Sequence, residues 1–205
     1  YQLIISSWHS YRIKPWKIYG PKGTKKFVKK IMDAWADERK LRISYESRAS
    51  IKAFDIQVTE FKSIGTIKIK DLNIKYFEVD HKPVKFAYGF CFTNKNKKLT
   101  ISGDTRPCEN LMKYAQSSDV LLHEVFIEGE ILQINKMRTQ KTLHNVKSYH
   151  TTSTQVGKVA FIARAKKLVL THFVPTRFNK SNLKKIVKKD FGEDPVIGED
   201  LMTIK

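Results

Sequence analysis

Three short apolar runs in this chain lead directly into residues that can bind a metal or move a proton. Leu99-Thr-Ile101 reaches Ser102-Gly-Asp-Thr105, Val120-Leu-Leu122 reaches His123-Glu124, and Leu168-Val-Leu170 reaches Thr171-His172. Carboxylates and imidazoles grouped in this way can share a divalent cation, and an imidazole beside a carboxylate can also transfer a proton near neutral pH. The chemistry to look for is therefore metal-assisted or acid–base hydrolysis.

The segments between these runs read as helices. Cys108, Leu111, Met112 and Ala115 recur at helical spacing, with Pro107 at an early helix position. Thr152 and Gln155 form a capping box ahead of an apolar face made by Val156, Val159, Ala160 and Ala163. Strands that alternate with helices imply right-handed crossovers and a largely parallel sheet, which carries ligands beyond the carboxyl ends of its strands. Asp104, His123, Glu124 and His172 are expected to project into one crevice there. Upstream, residues 51–92 alternate between apolar and polar, which predicts the antiparallel part of a sheet with His81 at a strand end. A hairpin is expected around residues 93–98, and residues 180–191 form a last amphipathic helix before a short edge segment at Val196-Ile197. Gly20-Pro-Lys-Gly-Thr24 precedes a predicted helix that Thr24 caps. It lacks the Gly-x-x-x-x-Gly-Lys-Ser/Thr spacing of a phosphate loop and reads as a structural turn.

At 205 residues and 41% hydrophobic content, residues 1–205 are read as a single domain able to bury a core. No run approaches a membrane span, and no charged-then-apolar leader opens the chain, which begins at Tyr1 and so reads as a fragment, a trimmed chain or a processed one. Thirty-nine Lys and Arg against 20 Asp and Glu leave a net charge of +19. Such an excess attracts polyanions, although a Lys-rich solvated surface would have the same composition. Lysines crowd at 22, 25, 26, 29 and 30 and again at 180, 184, 185, 188 and 189. Cys91 and Cys108 sit in apolar patterns and read as buried free thiols, which suits a reducing, cytoplasmic setting.

Ser102-Gly-Asp-Thr-Arg-Pro107, Leu122-His-Glu-Val125, Tyr149-His-Thr-Thr152 and Leu170-Thr-His-Phe173, in this order, resemble the ribonuclease Z branch of the metallo-β-lactamase fold. Tyr19-Gly-Pro-Lys-Gly-Thr24, Val79-Asp-His-Lys-Pro-Val84 and Val196-Ile-Gly-Glu-Asp-Leu-Met202 extend the likeness over nearly the whole chain. The resemblance implies an α/β fold, an αββα sandwich incomplete at its N-terminus. It also implies a zinc-dependent hydrolase with two zinc ions per complete domain, manganese or iron being alternatives. His81 would be a ligand of one metal, Asp104 the bridge and His172 a ligand of the other; His150 would be the general acid and Glu124 its orienter. His123 reads as structural, while His9 and His144 read as surface residues. The implied substrate is RNA, concretely the 3′ side of precursor transfer RNA, or a smaller phosphodiester, and family members often form a homodimer. The family's His-x-His-x-Asp-His signature would precede Tyr1 and nothing within the 205 residues replaces it, so this chain alone is expected to be inactive. Residues 40–50 are too short to act as a transfer-RNA-gripping arm. The alternatives are a non-catalytic nucleic-acid-binding remnant or a hydrolase of small esters, lactones or sulfate esters.

Overall fold

A computed structural model describes residues 1–128, 130 and 139–204 of the chain. Contacts divide it into two compact units, residues 1–62 and residues 63–205.

The first unit contains α1 (Gln2–His9), β1 (Trp16–Gly20), α2 (Thr24–Ala34), α3 (Ala36–Glu46), a 3₁₀ turn (Lys52–Phe54) and β2 (Ile56–Glu60). Its small core is Ile5, Trp8 and Ala53, with Ile43 and Phe54 packed against them. The Trp8 indole N–H donates to the Ser50 carbonyl at 2.8 Å, so burial of that ring leaves no unsatisfied donor. Two expectations are corrected in this unit. Residues 53–58 do not join an antiparallel sheet: β2 runs parallel to β1 in a separate two-stranded sheet, and Lys52–Phe54 is a 3₁₀ turn. Alternation alone reveals a half-buried strand but not the direction of its partner. Likewise Thr24 is not the cap of α2. Gly23, at φ 102°, holds the N-cap position, and the Glu60 carboxylate accepts from the N–H groups of Gly23 and Lys25 at 2.8 and 2.9 Å. A carboxylate from a distant strand here does the work of a local cap.

The second unit is built on a seven-stranded sheet in the order β3-β4-β5-β6-β7-β8-β9. These strands are Ile64–Ile69, Leu72–Glu78, Tyr88–Asn94, Lys97–Ile101, Val120–Phe126, Leu168–Val174 and Val196–Ile197. β3 to β6 pair antiparallel, and β6 to β9 pair parallel. The parallel half is connected through helices, as a crossover requires: α4 (Glu109–Ala115) leads to β7, α5 (Gln140–Ser148) and α6 (Ser153–Ile162) precede β8, and α7 (Lys180–Phe191) leads to β9. Leu111, Leu121, Val125, Val156, Val159, Leu168, Leu170, Leu183 and Val187 form one buried core with the apolar faces of α4, α6 and α7. Gly157 lets α6 lie against α7, since a Cβ there would stand 2.4 Å from the Val187 carbonyl oxygen. The hairpin, the capping box at Thr152 and Gln155, the last helix and the edge strand β9 all stand where the pattern put them. Pro107 instead lies just outside α4, whose N-cap is Cys108. Strand β7 continues through His123 and Glu124 to Phe126 rather than ending before them. Among the described residues no helix is long and apolar enough to cross a membrane.

Candidate active site

The turn after β6 places the first carboxylate. Gly103 adopts φ 63°, and a Cβ on it would meet the Tyr88 carbonyl oxygen at 2.4 Å, so glycine alone fits both the conformation and the space. The chain thereby turns tightly over β5 and presents Asp104. A β-bulge supplies its neighbour. Glu124 pairs with Thr171 and Val125 with Phe173, which leaves His172 as the extra residue of β8 at φ 45°. A bulged residue in the left-handed region re-aims its side chain away from the strand's alternation. The His172 imidazole Nε2 consequently lies 3.4 Å from Asp104 Oδ2, with both side chains about half exposed.

Glu124 forms the buried centre of the site. Its Oε1 accepts from the Thr105 N–H at 3.0 Å, the Thr151 N–H at 3.1 Å and His150 Nδ1 at 2.9 Å. The Thr151 hydroxyl donates in turn to the Thr105 carbonyl at 2.7 Å, closing a ring that joins the β6–α4 turn to the segment ahead of α6. Three donors on one oxygen fix the position of the carboxylate. With Nδ1 engaged by that carboxylate, the His150 atom available for proton exchange is Nε2. Two imidazoles lie near this ring, His81 at 5.1 Å and His172 at 5.8 Å between centroids. His81 Nδ1 donates to the Tyr149 carbonyl at 2.9 Å, which leaves its Nε2 as the free ligating atom.

Three of the four groups expected in the crevice are thus linked through His150, Glu124 by hydrogen bond, His172 by ring contact and Asp104 at His172, and His81 joins them by ring contact. His123 is not among them, which corrects its placement in the crevice. Successive strand residues point to opposite faces, so His123 faces the core while Glu124 faces the site. His123 is fully buried, and its Nδ1 donates to the Glu124 carbonyl at 2.7 Å. Burial pushes its imidazole below the usual range despite that contact and the nearby carboxylate. The structural reading of His123 fits this position. His144 is exposed, whereas His9 is half-buried and lies 3.4 Å from Glu46.

Sequence reasoning missed Thr105, Thr151, Tyr149 and the pair of Asp80 with Arg106. Thr105 and Tyr149 act through backbone groups, and Thr151 through its N–H as well as its hydroxyl, which residue types do not reveal. Arg106 donates to Asp80 Oδ2 from Nε at 2.8 Å and Nη2 at 2.6 Å. Burial pushes the Asp80 carboxyl up, but the hydrogen bonds and charge of Arg106 outweigh it and hold the group below the usual range.

Among the described residues no three His, Cys, Asp or Glu side chains stand close enough together to hold a metal ion. The donor types fit one: Asp104 and His172 converge from one side, and the tautomer of His81 suits ligation. They do not close a four-coordinate shell.

The family profile described as Anti-Pycsar protein Apyc1 matches residues 29–136, just over half of the chain. Ribonuclease Z of Mycobacterium tuberculosis strain H37Rv is 27% identical over 176 residues, which are 84% of this chain and 63% of that protein. Among solved structures, the metallo-β-lactamase fold protein YhfI from Bacillus subtilis superposes with a TM-score of 0.67 at 18% identity, covering 95% of this chain and 65% of that one. Human tRNase Z, short form, superposes with a TM-score of 0.59 at 20% identity, covering 93% and 66%. The chain therefore spans just under two thirds of the length of these three proteins, and the structural likenesses establish the metallo-β-lactamase fold.

Proposed function

The chain belongs to the Anti-Pycsar protein Apyc1 family and is a ribonuclease Z-like protein of the metallo-β-lactamase fold, and from that premise we propose that its site serves a metal-dependent hydrolase of phosphodiester bonds. The observation that carries this reading is the buried Glu124–His150 pair, 2.9 Å apart, with the His81 and His172 rings in contact with His150. Glu124 fixes the tautomer and orientation of His150, and His150 Nε2 gives a proton to the leaving oxygen. Asp104 and His172 would hold metal from one side, and His81 would hold it through Nε2. Zinc suits these donors, with manganese or iron as alternatives; a bound ion supplies Lewis acidity and an activated water.

The net charge of +19 supports RNA as the substrate class. Residues 36–46 form α3, so no long arm for gripping transfer RNA lies in that stretch. The reading accordingly extends from transfer-RNA 3′ processing to smaller phosphodiesters. Because the described donors do not close a metal shell, this chain alone is read as inactive, its shell completed by donors from outside it.

The test is metal content by mass spectrometry on this chain and on a version extended ahead of Tyr1 by a His-x-His-x-Asp-His segment, with hydrolysis of bis(p-nitrophenyl) phosphate measured on both. About two metals per extended chain, with turnover in that version only, is the expected result. If neither version takes up metal while both bind RNA with a steep salt dependence, the non-catalytic reading replaces this one.

A further inference from the structure

A cleft of about 430 Å³, lined among others by Arg106, Pro107, His144, Lys147, His150 and Gln155, lies beside the proposed proton donor. Its lining includes His150 but neither Asp104 nor His172. We infer that this cleft is a subsite for a phosphate group of a nucleotide, placed next to the leaving oxygen that His150 serves; the inference rests on the reading of His150 as that proton donor.

The charge of the walls is one-sided. Among the described residues no acidic side chain lines the cleft, and two permanent cations do. Each is paired with a carboxylate outside the lining: Asp80 binds Arg106 through Nε and Nη2, and Glu128 Oε1 lies 2.5 Å from Lys147 Nζ. Glu128 is itself anchored by the Thr154 hydroxyl at 2.6 Å. These pairs do not consume the cations' donors. Arg106 keeps the N–H groups of Nη1, and an ammonium has three N–H bonds of which Glu128 engages one. Both side chains remain 46% exposed, so the remaining donors can reach a ligand.

The start of α6 adds to this. Thr152 and Gln155, the two members of its capping box, also line the cleft, and the N-terminal end of a helix carries positive partial charge. Charge-assisted bonds from a guanidinium and an ammonium suit phosphate oxygens, and the volume lies within the range of small-ligand sites. A neutral leaving group would leave both cations facing water. The phosphate could be an additional one carried on the leaving side of an oligonucleotide, or the monoester released by cleavage.

The experiment is a titration of this chain followed through its six histidine imidazoles by NMR, with His144 assigned by His144→Gln. The probes are uridine, uridine 5′-monophosphate, and the dinucleotide UpU with and without a terminal phosphate. The monophosphate is expected to shift the His144 and His150 signals and uridine to leave them in place. Lys147→Gln is expected to weaken monophosphate binding about 5-fold, the size of one solvent-exposed ion pair, with the thermal midpoint unchanged. Tighter binding of phosphorylated UpU than of the monophosphate identifies the leaving-side phosphate as the source, and equal binding identifies the released monoester. Shifts at His172 and His81 without His144, equal shifts by uridine, or no effect of Lys147→Gln would overturn the subsite. Binding requires no metal, so its failure is separable from failure of the hydrolase reading, which metal content decides.

Discussion

Replacement of Glu124 tests the site through its stability. Glu124→Ala removes the acceptor for three donors at 2.9–3.1 Å: two backbone N–H groups and His150 Nδ1. Hydrogen bonds to a charged group contribute about 1.5–3 kcal/mol each. Relief of the carboxylate's burial offsets part of that loss, so the net cost should be about 3–5 kcal/mol, as for breaking a buried ion pair. Glu124→Gln keeps an oxygen where Oε1 stands. Its NH₂ then occupies the place of Oε2, which is buried and has no hydrogen-bond partner, so a smaller loss of about 1–2 kcal/mol follows from the unpaired amide donors. All three tryptophans, Trp8, Trp16 and Trp35, lie in residues 1–62. Their fluorescence reports on the wrong unit, so urea unfolding should be followed by far-UV circular dichroism and by amide exchange along β7. At a slope of about 2 kcal/mol/M the Ala midpoint falls by roughly 2 M. A loss below about 1 kcal/mol in Glu124→Ala, with the slope unchanged, would show that the three bonds do not organise this site.

Gly103→Ala should lower stability by at least about 2 kcal/mol, because it combines the left-handed backbone with a Cβ against the Tyr88 carbonyl; a thermal midpoint within 1–2 °C of the parent would contradict that. His123 is held neutral by burial, so its folded pKa lies below its unfolded value of about 6.5. Its stabilising contribution is complete above that pH and is lost as pH falls toward the folded value. Unfolding free energy should drop by up to about 1.4 kcal/mol per pH unit below pH 6.5, and His123→Gln should flatten that slope in chemical unfolding at pH 7, 6 and 5. In the extended, metal-loaded protein, Asp104→Ala should lose metal by mass spectrometry, whereas His150→Ala should keep its metal and lose most turnover, by about 10²–10⁴-fold. Unchanged turnover in His150→Ala would end its role as proton donor.

The parallel half of the sheet could be read from the sequence because each of its elements carries a local signal. The apolar runs at 99–101, 120–122 and 168–170 became β6, β7 and β8, and the capping box starts α6 where Thr152 and Gln155 predict. Elements whose partners are distant in sequence were harder to read. The parallel pairing of β1 with β2 and the capping of α2 by Glu60 both depend on contacts more than thirty residues apart. In the site, the family resemblance pointed to the pairing of Glu124 with His150, but His123 was placed by its neighbour. Period-two alternation separates 123 from 124, and that consequence was available as soon as the strand was taken to continue to Phe126.

The bulge at His172 shows why the strand pattern could not have brought His172 and Asp104 together unaided. In regular register Thr171 and Phe173 alternate about position 172, and a histidine there would follow the pleat. The extra residue and its positive φ break that alternation and bring the imidazole to Asp104. A left-handed conformation outside glycine costs on the order of 1 kcal/mol or more. The same strain is absent at Glu124 and His150, which are held by hydrogen bonds in unstrained backbone and buried. The Glu124–His150 pair is therefore preorganised within this chain, while Asp104 and His172 remain half exposed.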